Sequence, residues 1–487
     1  MAMENKTATP SGKDFLKKLV GFSAATWVSF ALSFLSSPIT TRLFSPEEVG
    51  KINLFSTYLN MFLMFAYLGL DQAYIRFYFN PPESSSKKNL FTVCLLLSEG
   101  FAGILSIGIF LFWGPLSISI TGERSFFIAV FLVLSLFANI AIRYFSLAAR
   151  MASQAGLYSL QTIALSVVNR FFYVIVAFWN PTHFYAIGFL TAGYLIMTVA
   201  LFAVQSKNCL TSSLHFNREM AKALFFFSLP LVPVSVLSWA NNSIAQLVIR
   251  NFVSFEAIGI YSNAVAIANM VNLLQTGFNA YWSPYVYENY KTKQPQIQKV
   301  HRLITFCAAA LGLCIILGQD IIYLLIGEKF RAGKEFFPFL LLSPICYTIA
   351  ETTGVGINIS KKTFLNIITF SANVAVNLLL CFLLLPIFGV VGAAIASCAS
   401  AIVMLLIKTV LGEKYYSCVT SYPKTFSAIA ILVGAAVVNW LVSAVLLKYV
   451  LNIALFALLA VIYWKEARYL FSFGTGLIRE FFKGRKR

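Results

Sequence analysis

Residues 125–150 read SFFIAVFLVLSLFANIAIRYFSLAAR. From Phe126 to Ile142 only Ser135 and Asn139 break the apolar run, and the first charge is Arg143. A helix crosses the hydrocarbon core of a bilayer with about 20 predominantly apolar residues, so this stretch reads as a membrane span. Similar runs recur along the whole chain, near residues 17–42, 48–78, 90–113, 156–179, 183–205, 221–249 and 256–286. They continue near 300–326, 336–358, 363–386, 390–411, 424–446 and 449–466. The expected fold is therefore an all-α membrane protein with about 14 transmembrane helices. Composition agrees: 59% of the 487 residues are apolar and 11% are charged, against about 25% charged in soluble domains. Nearly all the apolar content goes into spans, which leaves no stretch for a large soluble catalytic domain.

Turn residues separate the runs, at Pro81-Pro82, Asn180-Pro181 and Gly327. Ser45-Pro46-Glu47-Glu48 supplies a capping serine, a proline at the first helical position and acids in the first turn, so the second helix starts there. Pro38, Pro230, Pro233, Pro284, Pro338 and Pro344 fall inside apolar runs, where a missing backbone donor bends a helix. The adjacent pair Pro230 and Pro233 makes the seventh helix the expected bent element. The first run, from Phe15 through Ala31 to Leu43, is too long for a signal-peptide core and reads as a membrane helix.

The formal net charge is +19, and its distribution argues against nucleic acid. Basic residues sit in short loops and in the tail at Lys483, Arg485, Lys486 and Arg487. With the N-terminus inside, about 28 fall on the cytoplasmic side, including Lys13, Lys17, Lys18, Lys87, Lys88, Lys361 and Lys362. About 8 fall outside, among them Arg42, Lys51, Arg124 and Lys329, which places both termini in the cytoplasm. The eight cysteines lie in or beside apolar runs without CxxC spacing, so neither zinc nor a disulfide framework is expected. No metal site, cofactor or GxxxxGK[ST] phosphate loop is expected, which leaves a proton or sodium gradient as the drive.

The chain also repeats itself. A shift of 209 residues superposes Ser45 on Ser254, Glu47 on Glu256, Gly50 on Gly259, Asn60 on Asn269, Met61 on Met270, Tyr78 on Tyr287 and Asn80 on Asn289. At a shift of 208, Asn169 meets Asn377. Each copy holds six helices, an even number, so the halves share one orientation, and a site between them with alternating access is expected. The expected parts are a six-helix lobe at 1–215, a second at 216–415, and two extra helices with a basic tail at 416–487.

Pro38 to Phe79 contains Pro-Ile-Thr-Thr-Arg-Leu-Phe-Ser-Pro-Glu-Glu-Val-Gly, and later Gly69-Leu70-Asp71-Gln72-Ala73-Tyr74-Ile75-Arg76-Phe77-Tyr78. This resembles the start of the Wzx-type polysaccharide flippases of the multidrug/oligosaccharidyl-lipid/polysaccharide superfamily. Phe388-Gly389-Val390-Val391-Gly392-Ala393-Ala394 resembles the family's C-terminal lobe. The resemblance implies two lobes in a V, as in the MATE transporters, in a bacterial inner membrane. It implies flipping of an undecaprenyl-pyrophosphate-linked oligosaccharide to the outer leaflet, in O-antigen, lipopolysaccharide or related polysaccharide synthesis. Lipid-linked oligosaccharide, membrane lipid, a glycan polymerase and glycosyltransferases are the implied partners. Twelve spans are usual for such relatives; fourteen resembles the peptidoglycan-precursor flippases.

Charges inside the membrane cost at least about 2.5–3.5 kcal/mol on insertion scales, so each needs a reason. Arg76, Arg143, Arg150 and Arg170 are candidates for the pyrophosphate, because guanidinium donates two parallel hydrogen bonds to adjacent oxygens. Asn139, Arg143, Ser146 and Arg150 share one helical face. For Arg76, Arg143 and Arg150, snorkelling to the cytoplasmic rim is the competing reading. Asp71, Glu99 and Glu351 are candidates for ion coupling, with structural ion pairing as the alternative. The second half carries neutral amides instead: Asn269, Asn272, Gln275 and Asn279 on one helix, and Asn366, Asn373 and Asn377 on another. Amides match sugar hydroxyls, although interhelical glue of about 0.6 kcal/mol per bond explains them equally well. Two rivals follow. A multidrug or cation antiporter of the same superfamily would need an acidic, aromatic cavity. An enzyme would need a sizeable outer loop, and the chain has only three histidines, His183, His215 and His301.

Overall fold

The computed structural model describes residues 12–470 and residue 472, except 83, 84, 212, 217 and 363. The basic tail at 483–487, the side chains of Lys13, Lys17 and Lys18, and that of Pro284 lie outside the described residues. Every regular element among the described residues is helical.

The chain divides into two compact units, Met1–Trp239 and Ala240–Arg487. The first contains α1 (Gly12–Leu43), α2 (Pro46–Tyr67), α3 (Leu70–Phe77), α4 (Lys87–Leu111) and α5 (Trp113–Thr121). It continues with α6 (Phe126–Met151), α7 (Ala155–Val167), α8 (Tyr173–Val176), α9 (His183–Cys209) and α10 (Arg218–Ser228). Helix α11 (Val232–Phe252) runs across the division. The second unit contains α12 (Phe255–Ala268), α13 (Asn272–Asn289), α14 (Gln294–Leu317), α15 (Gln319–Leu325) and α16 (Phe337–Thr353). Then come α17 (Val355–Ile359), α18 (Phe364–Phe388), α19 (Val390–Glu413), α20 (Tyr422–Leu441) and α21 (Val445–Ile462).

Among the described residues 10 helices are long and apolar enough to cross a membrane, or up to 12 if each sharply bent pair is one span. Their outward faces carry large apolar side chains such as Leu111, Phe226 and Leu446, each more than 70% exposed. On helices of spanning length, apolar surface on this scale suits a lipid surround.

The capping signal at 45–48 is realised as read. Ser45 Oγ accepts from the Glu48 amide at 3.4 Å, Pro46 opens α2, and Glu47 and Glu48 fill its first turn. The repeat partner Ser254 caps α12 the same way, accepting from the Ala257 amide at 3.1 Å with Glu256 in the first turn. Glu48 does more than cap: its carboxylate meets Lys51 at 3.7 Å and His183 Nδ1 at 2.9 Å, fastening α2 to the start of α9.

The sharp bends fall elsewhere than at Pro230 and Pro233. Those prolines tighten residues Leu229–Leu231 into a 3₁₀ turn, and Arg218–Phe252 still reads as one span. The bends of 52° and 62° lie between α2 and α3 and at the entry to α16. At the first, Leu68 and Gly69 both adopt positive φ, 43° and 76°. Gly69 is also crowded: a Cβ there would sit 2.7 Å from the Ser228 carbonyl oxygen at the end of α10. The Gly69-Leu70-Asp71 sequence is thus a helix break that lets α10 approach and starts a new helix at Leu70.

In the second unit α20 packs on α14 and α16, and α21 on α14 and α20, through polar as well as apolar contacts. Buried His301 of α14 bridges Thr352 Oγ1 at 2.7 Å and Thr425 Oγ1 at 3.0 Å. Gln319 Nε2 donates to Asn439 Oδ1 at 2.6 Å, and Asn439 Nδ2 donates to Asn452 Oδ1 at 3.2 Å. Such bonds hold helices together where lipid removes the hydrophobic drive.

Candidate functional site

The break at Gly69 places Asp71 in the first turn of α3, facing α6. Its Oδ2 accepts from Arg143 Nη2 at 2.9 Å and from Gln72 Nε2 at 2.8 Å. The two partners differ in exposure: the Arg143 side chain is 42% exposed and that of Asp71 11%. Around them lies an aromatic wall in which Tyr74, Phe91 and Tyr144 meet edge to face. Tyr67 donates from its hydroxyl to the Asn139 carbonyl oxygen at 3.3 Å, tying α2 to α6 beside the pair. Glu99 on α4 differs from Asp71, because its buried Oε2 has no hydrogen-bond partner.

The other arginines of this unit are not joined to Asp71. Arg76 is exposed in the last turn of α3, with its guanidinium 5.8 Å from the Phe77 ring centroid. Arg150 is exposed in the last turn of α6. Arg170 is half-buried in a five-residue π-helical segment, Val168–Phe172. Single π turns are a recurrent feature of functional sites.

In the second unit the predicted amides fall into two groups. Asn269 is exposed and Asn272 and Gln275 are half-buried around the 3₁₀ turn Asn269–Val271, with Asn272 Nδ2 donating to Asn269 Oδ1 at 3.3 Å. Asn279 is half-buried, with its Oδ1 buried and unpartnered. Asn373 and Asn377 are buried on α18. Asn373 Nδ2 donates to Asn241 Oδ1 at 2.6 Å and to Tyr347 Oη at 2.7 Å, while Asn377 Oδ1 accepts from Cys381 at 3.3 Å. Asn366 gives its backbone carbonyl to Thr369 Oγ1 at 2.8 Å. Glu351 on α16 is paired, its Oε1 accepting from Lys408 Nζ of α19 at 2.9 Å.

With this geometry the chain can be compared with known proteins. Residues 15–289 match the family described as "Polysaccharide biosynthesis protein". The chain belongs to that family. The Wzx-type stretch at 38–79 falls inside the matched range. The chain is 23% identical over 405 residues to "Capsular polysaccharide biosynthesis protein CapF" of Staphylococcus aureus, covering 78% of this chain and 95% of that one. It is 22% identical over 342 residues to "Lsg locus putative protein 1" of Haemophilus influenzae, covering 68% and 80%.

Among solved structures, "Lipid II flippase MurJ, inward closed conformation" superposes with a TM-score of 0.67 at 15% identity, covering 91% of this chain and 99% of that one. An inward-facing multidrug resistance MATE family transporter of the MOP superfamily gives 0.58 at 13% identity, covering 85% and 96%. The fold of this family member is therefore MATE-like, all-α and multi-pass.

Reading the sequence of this polysaccharide-biosynthesis protein missed two residues. Lys408 stands inside the run 390–411, where it should have been matched to a carboxylate. His301 was counted only as one of three histidines, although a histidine amid apolar residues needs polar partners wherever it is buried.

Proposed function

We propose that this flippase carries an undecaprenyl-pyrophosphate-linked oligosaccharide from the cytoplasmic to the outer leaflet by alternating access. The observation that carries the reading is Arg143. It lies eight residues before the end of α6, about 12 Å along the helix axis. There an exposed guanidinium needs water or an anion, because hydrocarbon solvates neither charge nor donors. Asp71 holds it in place from one side and leaves its remaining donors for phosphate oxygens. Arg76, Arg150 and Arg170 extend the cationic surface of the first lobe. For the glycan we retain Asn269, Asn272, Gln275, Asn279 and Asn377, and we assign Asn373 to positioning Asn241 and Tyr347.

Among the coupling candidates Asp71 and Glu351 each already hold a cation. Glu99 has an unpartnered buried oxygen and is the group we assign to proton uptake, since a carboxyl that binds a proton there loses only an uncompensated charge. Counting α1 and the α12–α13 pair as spans raises twelve to fourteen, arranged as lobes at 1–215 and 216–415 with two added helices at 416–487. Both termini face the cytoplasm, and a glycan polymerase and glycosyltransferases supply and consume the cargo.

The test is reconstitution in liposomes with lipid-linked oligosaccharide, following glycan exposure on the far leaflet. Wild type should expose it, Arg143→Lys should slow exposure and Arg143→Gln should abolish it. Full activity of Arg143→Gln would remove the phosphate role. Loss of drug resistance with normal surface glycan on deletion of the gene would favour the multidrug or cation antiporter.

A further inference from the structure

We infer that the first unit carries a separate phosphate-headgroup site at the end of the bundle where α4 begins and α6 and α9 finish, the end that charge bias assigns to the cytoplasm. This site does not depend on the transport reading, and it shares no residue with the arginine set above. It is a cavity of about 310 Å³ lined by Lys87, Lys88, Phe91, Tyr78, Gln205 and Asn208, among others. At liquid density that volume holds about ten waters, which is room for a glycerophosphate-sized group.

Three features make its polarity that of an anion site. First, the cavity includes the first residues of α4, a 25-residue helix whose N-terminal amides and dipole favour negative charge. Ser86 caps one amide, accepting from Asn89 at 3.1 Å. Second, neither Lys87 nor Lys88 pairs with a carboxylate among the described residues. Lys87 Nζ lies 4.6 Å from the Tyr78 ring centroid and 5.3 Å from that of Phe79, so aromatic faces hold the ammonium without neutralising it. Third, Gln205 is 4% exposed and lines the cavity, yet its Nε2 has no hydrogen-bond partner. A buried donor left unpaired costs about 1–3 kcal/mol, which an acceptor-rich ligand would recover.

The opposing features are the C-termini of α6 and α9, whose dipoles favour cations. Three of the last four carbonyls of α6 and two of those of α9 are occupied. Ala152, Ser153 and Gln154 amides bond Ala148, Arg150 and Ala149, the Leu210 amide bonds Ser206, and Lys88 Nζ bonds the Lys207 oxygen at 2.8 Å. The chemistry recognised is a phosphate oxyanion, supplied either by an anionic phospholipid of the adjoining leaflet or by free phosphate.

The experiment uses the full chain in nanodiscs of phosphatidylcholine, measuring thermal unfolding with phosphatidylglycerol added to the bilayer or inorganic phosphate added to the buffer. Binding to the folded state should raise the unfolding temperature. Gln205→Leu should match or exceed wild type in phosphatidylcholine, because it removes an orphan donor, yet lose more than half of the rise. Lys87→Ala should lose a similar share, and Lys465→Ala, an exposed lysine of the second unit, should lose none. A rise with phosphatidylglycerol alone assigns the lipid source; a rise with inorganic phosphate in neutral lipid assigns the soluble one. No rise with either, or equal losses in all three variants, would overturn the site.

Discussion

The first unit sets its intramembrane carboxylate Asp71 against an arginine whose side chain is 42% exposed. The second sets Glu351 against a lysine whose side chain is 10% exposed. The two positions are related: at a shift of 208 residues Arg143 falls on Glu351. The neighbouring helices are related as well, α6 packing on α9 in one unit and α16 on α19 in the other. The sign of the charge has reversed, and so has its use. A half-exposed guanidinium can still offer donors to a ligand, whereas a buried ammonium is consumed by its carboxylate. Backbone packing reinforces this. A Cβ on Gly354 would lie 2.3 Å from Lys408 Cε, and one on Gly412 would lie 2.1 Å from the Thr353 oxygen. The second unit is closed around its pair, while the first leaves its pair open.

The contrast can be broken by mutation, and the largest effect should come from the buried pair. Glu351→Ala strands Lys408 and should cost about 3–5 kcal/mol of stability. The double change Glu351→Met with Lys408→Met should recover most of it, read by thermal unfolding in detergent. If the single variant is as stable as wild type, Lys408 is not held as a buried charge by Glu351.

Gly412→Ala should come next, at about 1–3 kcal/mol, because the helices must separate to admit a methyl group. Gly103→Ala on α4, where a Cβ meets nothing within 4 Å, should be neutral or slightly stabilising, as alanine favours a helix over glycine by about 1 kcal/mol.

Asp71→Asn should cost less than about 1 kcal/mol in stability, since Arg143 can turn to solvent. It should nevertheless slow flipping by about tenfold or more, the value of about 1.5–3 kcal/mol for a charged hydrogen bond. Equal losses of stability for Asp71→Asn and Glu351→Ala would erase the distinction between the units.

The smallest effect on stability belongs to Glu99→Gln. Its folded state should be unchanged or slightly firmer, because no partner is lost, while the pH dependence of flipping should flatten. An unchanged pH profile would return coupling to Asp71 or Glu351.

Much of this was legible in the chain itself. Runs such as 125–150 declare their environment by composition, because insertion energy sums over residues without reference to neighbours. The helix start at Ser45 was equally local, since a cap involves only the residues of one turn. The same locality made the repeat visible, with Ser45 and Ser254 capping related helices. The turn at Pro230 and Pro233, a 3₁₀ segment inside the span Arg218–Phe252, has the opposite character. A proline removes a donor wherever it stands, but the angle depends on whether neighbours hold the helix straight. At Gly69 it was the approach of α10 that required the break.

What the sequence by itself determined is solvent, span and family: a chain with this apolar share and these motifs belongs in a membrane as a flippase relative. Which ionised groups meet was decided only by the fold. Asp71 and Arg143 lie 72 residues apart, and Glu351 and Lys408 lie 57 apart. Pairing at such distances is set by helix packing in three dimensions, which a linear pattern of charges does not encode.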